Sequence, residues 1–289
     1  MKPFLIAEIS SNHNGSFSRA SSLISVCGEL GFDAVKFQLF DIEKLFSNEI
    51  LAKSKMHRDR KRWELPSEFI PKLSKQARES GMQFGCTPFY LEAVDELLPF
   101  VDFYKIASYE ILWHELIKKC CATGKNLMFS SGMANLNEIK SALSVISMGG
   151  SKNVTVMKCT SSYPTKPTDL NLAAIETLRN IGLDYGGLRV NVGLSDHSRS
   201  IPAILRAIHK YEVSTVELHV DLDKEGVEYG SGHCWLPEEI TMLKKFVDDG
   251  IASDGVNSIN PVEKELIERD WRADPTDGLR PLKKIRRGF

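Results

Sequence analysis

The part of the sequence best suited to chemistry runs from Gly193 to His219 and contains Gly-Leu-Ser-Asp-His, a helix-length stretch and Val-Glu-Leu-His. Glu217 and His219 stand two residues apart, so in a strand their side chains point to the same face. His197 follows the preceding strand-like run, and we therefore expect the two imidazoles to converge. Two imidazoles with nearby carboxylates can bind a divalent cation or transfer a proton.

These residues must be positioned by the surrounding elements, which alternate regularly between strand-like runs and amphipathic helical segments. Eight strands, each followed by a helix, predict an α/β protein with a (β/α)8 TIM barrel fold. A doubly wound sheet would carry Gly-x-Gly-x-x-Gly after the first strand, and that motif does not occur there. We predict the strands at residues 4–9, 34–39, 83–86, 103–106, 126–130, 154–158, 188–193 and 215–220.

We predict one barrel domain over residues 1–270 and a C-terminal tail over residues 271–289. A charged insertion at residues 41–66 follows the second strand, on the face where barrel loops serve as lids or contact substrates. A solvated basic loop is an equally good interpretation of this insertion, and we expect its His57 at the surface. The basic tail is interpreted as a solvated or partner-facing terminus.

The composition limits the class of protein. A net charge of −1 over 289 residues gives no electrostatic basis for binding nucleic acid or an acidic membrane. No apolar stretch approaches the roughly 20 residues needed to cross a bilayer, and the N-terminal apolar run is too short for a signal peptide. Six scattered cysteines without a CxxC pair indicate a reduced, cytoplasmic, soluble protein.

Polar residues cluster at the predicted carboxyl ends of the strands, where barrel enzymes place their catalytic groups. Burying a lysine without a counter-ion costs free energy, so we expect an anion beside Lys36 and Lys105. With the nearby hydroxyls, these two lysines could bind a phosphate plus a carboxylate. The alternative is that each lysine pairs with an interior glutamate such as Glu8. The strand-end residues are Glu8, Lys36, Gln38, Thr87, Lys105, Ser108, Ser130, Ser131, Lys158, Thr160, Ser161, Ser195, Asp196, His197, Glu217 and His219.

At these positions the chain resembles the sialic acid synthases, which condense phosphoenolpyruvate with N-acetylmannosamine or a related sugar. Eight ordered motifs across about 220 residues carry the resemblance. They are Ala7-Glu8-Ile9 with Asn12-His13-Asn14-Gly15, Ala34-Val35-Lys36-Phe37-Gln38, Cys86-Thr87-Pro88-Phe89, Tyr104-Lys105-Ile106-Ala107-Ser108, Ser130-Ser131-Gly132-Met133, Cys159-Thr160-Ser161-Ser162-Tyr163-Pro164, Gly193-Leu194-Ser195-Asp196-His197 and Glu217-Leu218-His219.

The resemblance implies a transferase that makes a nonulosonic acid and releases phosphate by C–O cleavage. It implies that His197 and His219 bind Mn2+ or Mg2+, and that this metal polarises the sugar aldehyde. Glu8 would lie near the reacting centre, and Gln38, Tyr163 and Glu217 on the sugar side. The residues implied to hold phosphoenolpyruvate are Lys36, Thr87, Lys105, Ser108, Ser130, Ser161 and Ser195.

Two departures from the family pattern concern the sugar. Family members usually continue into an antifreeze-like domain that lends an arginine to a neighbouring subunit, and we expect that domain to be absent here. Arg272, Arg280 or the 41–66 insertion would then take its place. A loop at residues 228–237 stands where relatives often carry a Pro-Asp sugar contact, and Glu228 or His233 could supply that contact.

Two other functions stay open from the sequence. One is a related barrel synthase that makes a 3-deoxy-ald-2-ulosonate from a phosphorylated sugar, for which we would expect additional arginines at strand ends. The other is a catalytically silent barrel that binds a sugar or phosphate. The expected small-molecule partners are phosphoenolpyruvate and an N-acylated hexosamine, and a homodimer is expected by analogy.

Overall fold

The computed structural model describes residues 2–185 and 187–288. The chain divides into two compact units, one ending at Gly250 and the other beginning at Ile251, and each is described by itself. This boundary precedes residue 270, where the sequence placed the end of the barrel domain. The assignment of residues 271–289 as a separate tail stays a prediction.

The first unit is built on a closed barrel. Within the described residues, eight parallel strands each pair with the next along the chain, and the last pairs with the first. The predicted (β/α)8 fold is thereby confirmed, and the predicted strand ends agree to within three residues. The strands are β1 (Phe4–Glu8), β2 (Ala34–Leu39), β3 (Gln83–Pro88), β4 (Phe103–Ile106), β5 (Asn126–Ser130), β6 (Asn153–Cys159), β7 (Arg189–Asp196) and β8 (Thr215–His219).

Helices follow the strands, and the longer ones bury their apolar faces, as the amphipathic pattern indicated. None of the described helices is long and apolar enough to cross a membrane. In chain order they are α1 (Phe17–Glu29), α2 (Ile42–Leu45), α3 (Asn48–Lys53), α4 (Lys55–Arg58), α5 (Ile70–Glu79), α6 (Leu91–Leu97), α7 (His114–Ala122), α8 (Leu136–Met148), α9 (Ala174–Gly182), α10 (Ile201–His209) and α11 (Pro237–Asp254).

Short polar residues begin several of these helices by accepting the unpaired N–H groups of the first turn. Ser16 caps α1, and Ser200 caps α10 just after the loop that carries His197. Asn135 and Glu138 form a reciprocal capping box at the start of α8. At these helices local sequence therefore helps to determine where the chain turns into the helix.

The barrel interior changes from apolar to polar along each strand. Residues two apart on a strand face the same side, so a single interior face carries both kinds of side chain. Toward the amino ends the interior holds an apolar cluster of Ile6, Ala34, Phe103, Met128 and Met157. Two residues further along the same strands stand Glu8, Lys36, Lys105, Ser130 and Cys159. The apolar cluster, called the apolar floor below, and the polar residues above it therefore lie on the same inward-facing positions of the same strands.

Gly85 shows how closely the floor is packed. A Cβ atom at this position would lie 2.1 Å from Cζ of Phe103, so a side chain on β3 would displace that ring. Because Gly85 has no side chain, the ring of Phe103 can fill the interior directly below Lys105 on β4. Close packing of this kind holds the residues above it in fixed positions.

The charged insertion after β2 is helical rather than a loop, which differs from the sequence interpretation. It forms α2, α3, α4 and a 3-10 turn, Asp59–Trp63. Its two ends are joined where the carboxylate of Glu64 accepts a hydrogen bond from the backbone N–H of Ile42 at 2.9 Å. An ion pair between Lys61 and Glu43 at 3.0 Å links the same two parts. These internal bonds give the insertion a defined shape.

The second unit contains short helical turns and a network of polar contacts. Asp274 accepts hydrogen bonds from the backbone N–H groups of Thr276 and Lys283, at 3.0 and 2.7 Å. Asp277 receives two hydrogen bonds from Arg286, both at 2.8 Å. The basic residues near the C-terminus therefore take part in local structure. The helical turns are Glu263–Glu265, Glu268–Trp271 and α12 (Lys283–Arg286).

Candidate active site

A cavity of about 670 Å³ opens at the carboxyl ends of the barrel strands. This is the size range of small-molecule sites, and it occurs on the face where barrel enzymes act. The strand-end residues Ser131, Lys158, Thr160 and Asp196 do not line it. The residues that the family resemblance assigned to the site all line it except Ser161. They are Glu8, Lys36, Gln38, Thr87, Lys105, Ser108, Ser130, Tyr163, Ser195, His197, Glu217 and His219.

Two lysines and two glutamates form a buried network at the bottom of the cavity. Lys105 Nζ lies 2.9 and 3.1 Å from the two carboxylate oxygens of Glu217. Lys36 forms an ion pair with Glu8 and lies 3.7 Å from Glu217. Ser195 donates a hydrogen bond to Glu217 at 2.9 Å. The lysines thus pair with interior glutamates, the alternative that the sequence left open, while both still face the cavity.

The two glutamates of this network differ in acidity. Burial and the neighbouring Glu217 carboxylate raise the pKa of Glu8, although Lys36 opposes the shift. Burial also acts to raise the pKa of Glu217, but attraction to Lys105 and Lys36 outweighs it, and the pKa lies well below its usual range. Glu217 is therefore the permanent counter-ion, whereas Glu8 can gain or lose a proton more readily.

Hydroxyl groups surround the lysines. Thr87 accepts a hydrogen bond from Lys36 at 3.1 Å, and Ser130 has a buried Oγ with no partner among the described residues. Ser108 accepts from the backbone N–H of Gly132 at 3.1 Å. The predicted ligand Ser161 lies outside the cavity lining, and its Oγ sits where a Cβ on Gly132 would approach to 2.2 Å.

The two predicted imidazoles meet above this network. The ring centroids of His197 and His219 are 5.2 Å apart. His197 Nδ1 lies 2.9 Å from the carbonyl oxygen of Thr160, and His219 Nδ1 lies 3.1 Å from a carboxylate oxygen of Glu228. Because both partners are acceptors, each Nδ1 carries the proton, and each Nε2 keeps its lone pair for a metal ion.

The loop after β8 brings Glu228 and His233 to the imidazoles. From the sequence, these two residues were expected only as alternative sugar contacts. Glu228 accepts from His219, and His233 lies with its ring 4.5 Å from that of His219. Burial lowers the pKa of His233 to about 4, so its imidazole is neutral at pH 7. His219, Glu228, His233 and Cys234 each offer a ligand atom within 4.8 Å of the others, a possible metal site.

Backbone pairing brings this loop to the imidazoles. The N–H of Trp235 donates to the carbonyl of His219 at 2.8 Å, and the carbonyl of Trp235 accepts from Asp221 at 3.0 Å. The chain therefore returns alongside the end of β8, which places His233 against His219. The sequence signal was a histidine shortly after a strand end, but the return of the loop could not be deduced from it.

Comparison with known proteins agrees with this geometry. Residues 23–256 match the model of the NeuB family. The chain belongs to the NeuB family. The predicted resemblance to the sialic acid synthases is confirmed, since the relatives include sialic, legionaminic and pseudaminic acid synthases.

Individual NeuB relatives cover most of the chain. An N,N'-diacetyllegionaminic acid synthase of Campylobacter jejuni is 31% identical over 291 residues, 93% of this chain and 85% of the relative. An uncharacterized protein of Methanocaldococcus jannaschii is 34% identical over 266 residues, 91% and 72% of the two chains. The crystal structure of a sialic acid synthetase from Leptospira borgpetersenii has a TM-score of 0.78 at 27% identity, covering 92% and 90%.

In this NeuB chain the helical insertion forms one wall of the cavity, through Phe46, His57, Arg60 and Trp63. The expectation that His57 is a surface residue was wrong, because its half-buried ring packs edge-on against Phe46 at 4.7 Å. Arg60 Nε and Trp63 Nε1 are buried without a hydrogen-bond partner among the described residues. The insertion therefore presents unsatisfied donors at the cavity wall.

Glu110 is a further cavity residue that the sequence did not indicate. It lies on the 3-10 turn Ser108–Glu110 directly after β4. Burial raises the pKa of Glu110 to about 7, and its Oε2 has no partner among the described residues. A carboxyl group of this kind changes its charge near neutral pH.

Proposed function

We propose that this NeuB family chain is a nonulosonic acid synthase. It condenses phosphoenolpyruvate with N-acetylmannosamine or a related N-acylated hexosamine and releases phosphate by C–O cleavage, as an EC 2.5.1-type transferase. The observation that carries the proposal is the meeting of the Lys36–Lys105 network with the His197–His219 pair in one cavity. Two different substrates are then bound side by side, an anion at the lysines and an aldehyde near the imidazoles.

The lysine end suits phosphoenolpyruvate. Lys36 and Lys105 carry positive charge into a buried site whose unpaired hydroxyl, Ser130 Oγ, is available to a ligand oxygen. A bound phosphate or carboxylate can share each ammonium group with the glutamate already present, because an ammonium group donates up to three hydrogen bonds. Thr87 and Ser195 extend the same set of polar contacts.

The imidazole end suits a divalent cation. His197 and His219 fit such an ion because the hydrogen bonds of their Nδ1 atoms leave both Nε2 atoms as ligands. Imidazole ligands favour Mn2+ over Mg2+, which prefers oxygen. When bound, the ion supplies Lewis-acid polarisation of the acceptor aldehyde.

Glu8 is placed to handle protons in the reaction. The enol carbon of phosphoenolpyruvate adds to the aldehyde carbon, water adds to the resulting cationic carbon, and phosphate departs from that carbon. The added water must lose a proton, while the former aldehyde oxygen gains one. Glu8, with its raised pKa, is a stronger base than an ordinary carboxylate, and Gln38 holds it in place through a hydrogen bond of 2.7 Å.

The insertion wall supports recognition of the distal part of the sugar. Arg60 and Trp63 offer donors to oxygen atoms of the acceptor, such as an acyl carbonyl or hydroxyl groups. Tyr163 lines the cavity beside the imidazoles, with its ring 4.3 Å from that of His197. Burying a donor without a partner is costly, so a ligand that satisfies it gains affinity.

Phosphate release with phosphoenolpyruvate tests this function directly. We expect release that requires both Mn2+ and an N-acylated hexosamine, measured over a panel of such sugars with and without a phosphate group. Mass spectrometry should show a product that retains all carbon atoms of both substrates. Absence of phosphate release with every acceptor would contradict the proposal and favour a silent binding barrel.

A further inference from the structure

Next to the His197–His219 pair lies a third imidazole, that of His233, which faces the same carboxylate as His219. We propose that His233 is a third imidazole ligand of the cation and that Glu228 positions both His219 and His233. This inference rests on the proposed function for the nature of the cation. It assigns to the loop after β8 a direct part in metal binding.

The spacing of the three rings supports one shared ion. Their centroids are separated by 4.5 Å for His219–His233, 5.2 Å for His197–His219 and 5.7 Å for His197–His233. Imidazoles bound to one ion at about 2.1 Å, with angles between about 90° and 110°, place their centroids about 4.5 to 5.3 Å apart. Two of the three separations fall in this range, and the third exceeds it by a few tenths of an ångström.

The contacts of His233 leave one ring nitrogen for a ligand. Its Nε2 lies 3.7 Å from Oε2 of Glu228, the oxygen that accepts from His219, and 4.0 Å from Sγ of Cys234. Its Nδ1 is buried and has no hydrogen-bond partner among the described residues. A buried imidazole nitrogen without a partner is unfavourable, and a bound cation would remove that cost.

Glu228 is itself fixed at three points, which suits a positioning residue. Its Oε1 accepts from the hydroxyl of Ser10 at 2.5 Å, and its backbone N–H donates to Asn12 at 2.9 Å. Its Oε2 faces both imidazoles. A carboxylate that accepts from the ring N–H of a metal-binding histidine fixes the ring orientation and makes the imidazole a better ligand.

Metal affinity, rather than turnover, tests the assignment. We expect His233→Ala to weaken Mn2+ binding to the full-length protein by about tenfold or more in calorimetric titrations. Glu228→Gln should weaken it through its effect on two rings. His114→Ala, which removes a histidine on α7 that is hydrogen-bonded to Ser141, is the matched control and should bind Mn2+ as the unmodified protein does.

Pulsed electron paramagnetic resonance of the Mn2+-loaded unmodified protein gives an answer that does not depend on the folding of a variant. Coupling to three imidazole nitrogens is expected, and coupling to only two would overturn the proposal, as would unchanged affinity in folded His233→Ala. The result is separate from the proposed function. Three coupled nitrogens without phosphate release would leave the ligand assignment standing and remove the synthase.

Discussion

Lys105 holds both carboxylate oxygens of Glu217, at 2.9 and 3.1 Å, in the buried lower part of the barrel cavity. Glu217 stands two residues before His219 on β8, so the same strand supplies the counter-ion of the lysines and an imidazole of the candidate metal site. The proposed anion-binding end and the proposed aldehyde-binding end of the cavity are therefore linked through one short strand.

Replacing Glu217 by Gln should destabilise the protein. The substitution leaves two buried ammonium groups with only Glu8 to pair with, and losing one partner of a buried ion pair costs about 3 kcal/mol or more. Urea unfolding at pH 7 measures the loss. Glu79→Gln removes an exposed pair with Lys75 and should change the free energy of unfolding by no more than about 0.5 kcal/mol. Equal unfolding midpoints for Glu217→Gln and the unmodified protein would contradict the role given to this pair.

Removal of divalent cations should abolish phosphate release without unfolding the barrel. Dialysis against a chelator removes the ion, and added Mn2+ should restore activity more effectively than Mg2+ because the ligands are imidazoles. Circular dichroism should stay unchanged throughout. His219→Ala should bind no Mn2+ and should not be restored. Full activity after exhaustive chelation would show that the reaction needs no metal.

Replacing Arg60 by Ala should weaken acceptor binding selectively. Hydrogen bonds to a charged group contribute about 1.5 to 3 kcal/mol, so we expect KM for the sugar to rise about 10- to 100-fold. KM for phosphoenolpyruvate should stay the same, since that substrate is assigned to the lysines. Arg62→Ala, an exposed residue of the same 3-10 turn, is the control. Equal KM values for the sugar in both variants would remove Arg60 from acceptor recognition.

Glu110 should make stability fall as pH rises from about 4.5 to 7. Its pKa is raised from 4.5 to about 7 by burial, so in this interval the unfolded chain loses the proton while the folded protein keeps it. Below this pH interval, ionisation of Glu110 does not lower the free energy of unfolding. Above the interval, it lowers the free energy of unfolding by the full amount, about 3 kcal/mol.

Glu110→Gln should therefore be more stable than the unmodified protein at pH 8 and equally stable at pH 4.5. Chemical unfolding at both pH values measures the difference. Glu115→Gln, an exposed carboxylate on α7, should show no such pH-dependent gain. A constant difference across the interval would mean that Glu110 ionises at its ordinary pKa.

The strands, and the residues that they carry into the cavity, could be predicted from the sequence because both follow from local patterns. Alternation along a strand placed Glu217 and His219 on one face, and closure of the barrel then brought His197 beside them. The same regularity located Lys36 and Lys105. That each lysine already has a carboxylate partner depends on distances across the barrel, which no local pattern contains.

Loops were predicted less well, because their shape depends on contacts distant in sequence. The insertion was interpreted as a loop, yet a hydrogen bond from Ile42 to Glu64 closes it into short helices that carry Arg60 to the cavity. His233 reaches His219 only because Trp235 pairs with the end of β8. Pairings of this kind leave no periodic signal in the sequence.

Some cavity residues stand on the barrel strands and others on the insertion after β2, and this difference affects which of them can change without disturbing the barrel. Glu8, Lys36, Lys105, Glu217 and His219, which are proposed to act near the reacting atoms, stand on strands anchored by the apolar floor, where a substitution disturbs the whole barrel. The wall assigned to the distal sugar belongs to an insertion with its own internal bonds. If the proposed function holds, exchange of this one segment would change the acceptor preference and leave in place the strand residues proposed for carbon–carbon bond formation.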